Sequence, residues 1–178
     1  MGGREHCISR IIASHRGGDI VCPDPALCDR RDGGHLIVHP PRPVWERSAL
    51  NVDELLAWSL LVAATGQAML EVLPALRAGC INYWEAGNWA LNDLAPPSGR
   101  KEVRRHRRVH LHLFGRSRDA RDPDWRWGES PRFPDYVAAS RWRARFTPLT
   151  DRECAAIAGR VAVLLRTRWT MRSTESAR

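Results

Sequence analysis

Seven consecutive residues in the middle of the chain, Arg108-Val109-His110-Leu111-His112-Leu113-Phe114, alternate without a break between two kinds of side chain. Successive side chains of a strand point to opposite faces. The segment therefore predicts a strand with Val109, Leu111 and Leu113 buried on one face and Arg108, His110, His112 and Phe114 on the other. Alternate residues stand about 7 Å apart, so two imidazoles and a guanidinium share one surface. That set suits phosphate chemistry. A neutral imidazole is a nucleophile near pH 7, and a second imidazole can orient it or move a proton. An arginine can pair with two phosphate oxygens at once. The same spacing also fits a solvated polar face of an ordinary sheet. His-x-His is half of a metal site as well, but no third ligand stands nearby, so no metal and no cofactor are expected.

The rest of the chain frames this strand. A length of 178 residues suits one domain, large enough for a core without disulfide staples. Residues 1–32 read as an N-terminal segment, a short strand or helix near Ile8–Ala13 and then loop, broken by Gly17-Gly18, Pro23 and Pro25. Gly33 to His39 reads as a strand stopped by Pro40-Pro41, because proline cannot donate to a ladder. A long helix follows. Asn51 is its N-cap, Asp53 and Glu54 favour the dipole of its first turn, and Pro74 ends it. Cys80–Glu85 reads as a further strand and residues 92–105 as loop. Residues 116–146 look irregular, with Trp125, Trp127 and Trp142 among prolines. Trp125 and Trp127 can form an aromatic satellite core or stack on a base. Thr150 and Glu153 make a capping box for a last helix with an apolar stripe from Cys154 to Leu165, and the tail from Arg172 is expected to be disordered. The fold class expected is α+β, with a core over 33–116, an extension of the same domain over 117–171 and a tail over 172–178.

Charge and cysteine usage bound the partners. Arg100 to Arg118 holds eight basic residues against Glu102, most of the formal net charge of +8. Such a field calls for an anion, either a nucleic acid or a small phosphate compound. The N-terminal residues show no apolar leader, and the apolar stretch Leu55–Leu73 is interrupted by polar residues, so no membrane partner is expected. Five cysteines without a CxxC pair read as reduced thiols in a cytoplasmic protein.

Arg108–Gly115 resembles the histidine-triad signature of the nucleotide hydrolase and transferase superfamily, in which three histidines alternate along a strand that runs on into a glycine. Gly34-His35-Leu36-Ile37-Val38-His39-Pro40 is similar to that family's Gly-His-Leu-Leu-Val-x-Pro strand, and Cys80–Asn88 sits where the family has its next strand and an asparagine-bearing phosphate loop. The order matches over about residues 33–116. The resemblance implies an antiparallel sheet of about five strands with the long helix on one face, and a homodimer. It implies His110 as the nucleophile toward an α-phosphate, His112 as its support, and Asn88 or Asn92 as the loop asparagine. Arg108 stands where the family has its first histidine. Arginine cannot exchange a proton near neutral pH, but it can clamp a phosphate. Where the family commonly has glutamine or serine this chain has Arg104-Arg105-His106-Arg107, which makes His106 the substitute. His35 and His39 are read as strand-face residues.

The function expected is hydrolysis or transfer of a nucleotide phosphate through a nucleotidyl-histidine intermediate. The alternatives are nucleotide binding without turnover on the same fold, and nucleic-acid binding through the arginine-rich segment.

Overall fold

The hairpin that opens the fold turns on two residues, Arg16 and Gly17; a Cβ at Gly17 would overlap the Ala57 carbonyl oxygen, and the positive φ of 120° falls on the next residue, Gly18. The hairpin joins β1 (Arg10–His15) to β2 (Gly18–Cys22). The computed structural model describes residues 9–132 and 139–169, so the tail from Arg172 lies outside the described residues, as does the side chain of Trp142. With β3 (His35–His39), β4 (Cys80–Ala86) and β5 (His110–Arg116), the hairpin completes one antiparallel sheet of five strands in the order β1-β2-β3-β5-β4. Residues 18–22, expected as loop, are thus a strand of the same sheet as the histidine strand. Their Gly-Gly and Pro boundaries read as breakers in sequence. In the fold they are the turn before a strand and the stop after it.

The apolar alternation of β5 lands as the sequence pattern requires. Val109, Leu111 and Leu113 are buried, together with Leu36 and Val38 of β3 and Ile20 and Cys22 of β2. Two helices cover this face. Helix α1 (Val52–Val72) begins at a capping box in which Asn51 accepts from the Glu54 N–H and Glu54 from the Asn51 N–H, and it stops before Pro74. It buries Trp58, Leu61, Ala64, Ala68 and Met69. Helix α1 is long and apolar enough to cross a membrane by length and composition alone; here that apolar side forms the core. Short helices α2 (Val103–His106) and α3 (Ala139–Arg145) lie in stretches expected to be irregular. Helix α4 (Asp151–Thr167), capped by Thr150 and Glu153, packs Cys154, Ile157, Val161 and Leu164 beside α1.

The opposite face of the sheet is covered too, over half its length. Phe114 of β5 packs with Ala26, Leu27, Cys28, Trp125 and Phe146 in a second cluster. Trp125 is therefore core, its ring 5.0 Å from that of Phe114, while Trp127 is 40 % exposed. Period-two patterning shows which residues share a face but not that distant segments close over it. This second cluster buries His112 and Phe114 and leaves His110 partly open.

Candidate active site

Antiparallel pairing sets the site. His112 stands opposite Ile37 of β3 and Trp84 of β4, and His110 opposite Ala86. His35 and His39 of β3 have the same parity as Ile37, so both come to the face that carries His110 and His112. The four rings form a row. Centroid separations are 5.0 Å from His35 to His112, 4.7 Å from His112 to His110 and 5.4 Å from His110 to His39. Phe114 stacks on His35 at 4.4 Å, and Trp84 lies 5.5 Å from His112.

Three of the rings are joined by hydrogen bonds whose direction the backbone dictates. The Leu27 N–H donates to His35 Nδ1 at 3.1 Å. A neutral His35 then carries its proton on Nε2 and donates to His112 Nδ1 at 2.7 Å. His112 in turn has its proton on Nε2 and donates to His110 Nε2 at 3.0 Å. His110 keeps its proton on Nδ1 and donates to the Arg108 carbonyl at 2.9 Å. One donor at the start and one acceptor at the end leave a single tautomer for each ring. All three are held neutral. Burial, with a smaller contribution from His110, pushes the pKa of His35 down to about 3. Burial and the neighbouring imidazoles hold His112 well below the ordinary histidine range, and burial lowers His110. Exposure grows along the row, from 2 % at His35 and 7 % at His112 to a partly exposed His110. The outcome is an imidazole near the surface with its Nε2 lone pair set by the interior.

His39 closes the row at its open end. It is partly exposed and pairs across the sheet with Asp19 of β2. Burial and His110 lower its pKa while the Asp19 carboxylate works against them. His35, His39 and Asp19 are the site residues that sequence reasoning missed. The signal was present as parity: His35 and His39 are four apart on one strand, His110 and His112 two apart on another. Only the pairing of β3 with β5 joins the two sets.

The other expected residues are placed differently from one another. Arg108 enters the site through its carbonyl. Its guanidinium, expected to clamp phosphate, donates instead to the carbonyls of Arg104 at 3.1 Å and Arg107 at 2.6 Å. His106 turns back on its own short helix, with Nδ1 3.0 Å from the Glu102 carbonyl. Asn92 shapes the loop: its Oδ1 accepts from the Leu94 N–H at 2.8 Å, and its carbonyl accepts from Lys101. Asn88 is exposed at the start of the 3-10 turn that follows β4, two residues past the partner of His110. Gly87 before it has a φ of 142°, and a Cβ there would lie 2.9 Å from the Arg108 carbonyl oxygen that accepts the hydrogen bond of His110 Nδ1–H. Glycine is needed at 87 for both reasons.

The basic run of 100–118 does not form one surface. Arg107 pairs with Glu46 at 2.8 Å, Arg104 lies over the Trp45 ring, and Arg116 is buried. Among the described residues no group of three or more His, Cys, Asp or Glu side chains is placed to hold a metal ion. No protein-family model matches the chain, and no curated protein matches it.

Proposed function

We propose that the protein hydrolyses or transfers at the α-phosphate of a nucleotide-type substrate through a nucleotidyl-histidine intermediate on His110. The observation that carries this reading is the one-way hydrogen-bond row, which ends in a partly exposed imidazole with its proton on Nδ1 and its lone pair on Nε2. A neutral, oriented imidazole is what nucleophilic catalysis at phosphorus requires.

His110 Nε2 attacks phosphorus. The N–P bond forms as the bond from phosphorus to the leaving atom breaks, and the leaving group departs with the electron pair. His110 keeps its proton on Nδ1, hydrogen-bonded to the Arg108 carbonyl, so the nucleotidyl ring carries a positive charge and departs readily in the second step. Water, or another acceptor, then attacks phosphorus and the electron pair returns to Nε2. The His112 Nε2–H, released from His110 when the lone pair turns to phosphorus, donates to a phosphoryl oxygen. Such preorganised donors supply a large share of the stabilisation of developing charge. His39 is the group placed to receive the proton of the attacking water and, in its protonated form, to hand one to an amine or alkoxide leaving group.

The homodimer implied by the resemblance belongs to the same reading. Strand β4 is an edge of the sheet, with Tyr83 50 % exposed on it, and an edge of this kind offers unpaired backbone groups to a second chain. Sedimentation velocity checks it.

The test of the activity is incubation with a fluorogenic adenylyl amidate, with the intact chain and its peptides weighed by mass spectrometry. A mass increase of one adenylyl group on His110, absent from His110→Asn, is expected together with release of the fluorophore. Binding of AMP without adduct or turnover would leave a nucleotide-binding protein. Failure of AMP to bind would end the reading.

A further inference from the structure

At the other end of β5, about 20 Å from His110 at 3.3 Å per residue, the chain gathers a second set of charged groups. Arg31 from the turn before β3, Arg77 from the segment after α1, and Arg118 and Arg121 from the segment after β5 line one pocket of about 350 Å³. Asp119 is the one carboxylate on its wall. Among the described residues, none of these four guanidinium groups has a hydrogen bond or an ion pair. Their chain neighbours show that this is selective. Arg30 is paired with Glu153 at 2.6 Å, and Asp122 holds Arg145 at 2.8 Å.

Two further carboxylates close in sequence to the four, Asp32 and Asp29, are engaged by backbone N–H groups, which leaves Asp119 as the acid facing the arginines. Buried Asp32 accepts the backbone N–H groups of Arg121 at 2.9 Å and Asp122 at 3.0 Å. Asp29 accepts those of Arg31 and Thr147, each at 2.9 Å. The same bonds fix the backbone from which Arg31 and Arg121 project, and buried Ser117 adds to this by donating its N–H to the Asp32 carbonyl at 3.0 Å. The roots of Arg31 and Arg121 are thus anchored, while the four exposed heads are left unpaired around a concavity. Four positive charges share one concavity there, and a bound anion would offset their mutual repulsion.

We infer that this pocket is an anion site, separate from the imidazole row, that takes a short phosphate chain such as an inorganic oligophosphate or the polyphosphate tail of a nucleotide. Four planar donors facing one carboxylate suit several phosphate oxygens at once. The bounded hollow suits a small ligand better than a nucleic-acid strand, which needs a continuous track.

Titration calorimetry of the full chain with inorganic tripolyphosphate at low ionic strength tests it. Saturable binding to one site is expected, weakening as salt screens the charges and persisting in His110→Asn. Arg77→Gln with Arg121→Gln should weaken it by about tenfold or more, with the thermal unfolding midpoint kept. The charge-matched pair Arg16→Gln with Arg105→Gln should leave it unchanged. GTP or ATP competing with tripolyphosphate in the His110→Asn protein would identify a nucleotide tail as a source of the ligand, and lack of competition would leave the inorganic chain. The inference is overturned by the absence of saturable binding, by its loss in His110→Asn, or by equal weakening in both arginine pairs. Tighter binding of a single-stranded oligonucleotide than of tripolyphosphate at the same salt would also overturn it, in favour of a nucleic-acid surface.

Discussion

The two ends of β5 solve opposite electrostatic problems. At the His110 end, ionisable groups are packed together and kept uncharged. Burial lowers the pKa of each imidazole, and a backbone donor and a backbone acceptor decide which nitrogen of each ring carries the proton. At the far end, four permanently charged guanidinium groups line one pocket with one carboxylate, Asp119, while Asp29 and Asp32 are held by backbone N–H groups. The difference lies in the side chains available. Histidine can give up its charge at modest cost, so it can be buried in a row. Arginine cannot, so a cluster of it stays at the surface and calls for an anion. The proposed reaction and the proposed anion binding thus fall at opposite ends of one strand.

Removing the proton acceptor at the reactive end is the hardest test of that separation. His39→Asn should slow resolution of the adduct and lower turnover by about a hundredfold, within the range for a lost general acid–base group. The adenylyl group should persist on His110 in the mass spectrum, and tripolyphosphate binding at the far end should be unchanged. Equal turnover and no accumulated adduct would remove His39 from the mechanism.

The neutral row also makes stability depend on pH. In the unfolded chain His35 titrates at an ordinary value of 6.5, while in the fold it is pushed down to about 3. Between those values the unfolded state holds more protons, so acid favours unfolding. The stability contributed by the neutral ring is complete above pH 6.5 and is lost progressively as the pH falls toward 3. His112, His110 and His39 are shifted in the same direction and add to the slope. Urea midpoints measured from pH 7 to pH 4 should fall steeply. His35→Asn, which keeps an acceptor for the Leu27 N–H, should flatten the curve. A midpoint independent of pH in the parent protein would show that the row is not held neutral by burial.

Gly87→Ala probes the contact between the β4 loop and the Arg108 carbonyl. The positive φ and the close approach predict a loss of about 1 kcal/mol or more in urea unfolding, with lower adduct yield because the acceptor of the His110 proton shifts. Unchanged stability and yield would mean that the loop adapts without disturbing the carbonyl.

The smallest effect is expected at Arg108. Its guanidinium caps the carbonyls of Arg104 and Arg107, and its contribution to the site is a backbone oxygen that any residue supplies. Arg108→Ala should cost about 0.5–1.5 kcal/mol of stability, the value of an ordinary hydrogen bond, and change nucleotide affinity less than twofold. A large loss of AMP binding in calorimetry would restore the side chain to the phosphate site.

The histidine strand, its buried face, the Asn51 cap, the Thr150–Glu153 capping box and the stop before Pro74 were legible because each depends on neighbours in sequence: period-two alternation, a cap and its first turn, a missing N–H. The pair His110 and His112 was legible for the same reason. The hairpin over residues 10–22 was not, because its two strands are short and its glycines read equally well as loop. Tertiary structure decided everything that depends on pairing between distant segments. Antiparallel register brought His35 beside His112 and His39 beside His110. The closure of Leu27, Trp125 and Phe146 over one half of the face separated a buried His112 from a partly exposed His110. The course of the backbone turned Arg108 outward while keeping its carbonyl in the site. The arginines followed the same rule. The run at 100–118, contiguous in sequence, is scattered by α2 and β5, while Arg31, Arg77, Arg118 and Arg121, drawn from three segments, meet around one pocket. Local periodicity sets which way a side chain points, but which groups then stand within reach of one another is set by strand register and chain crossing, and those are properties of the whole fold.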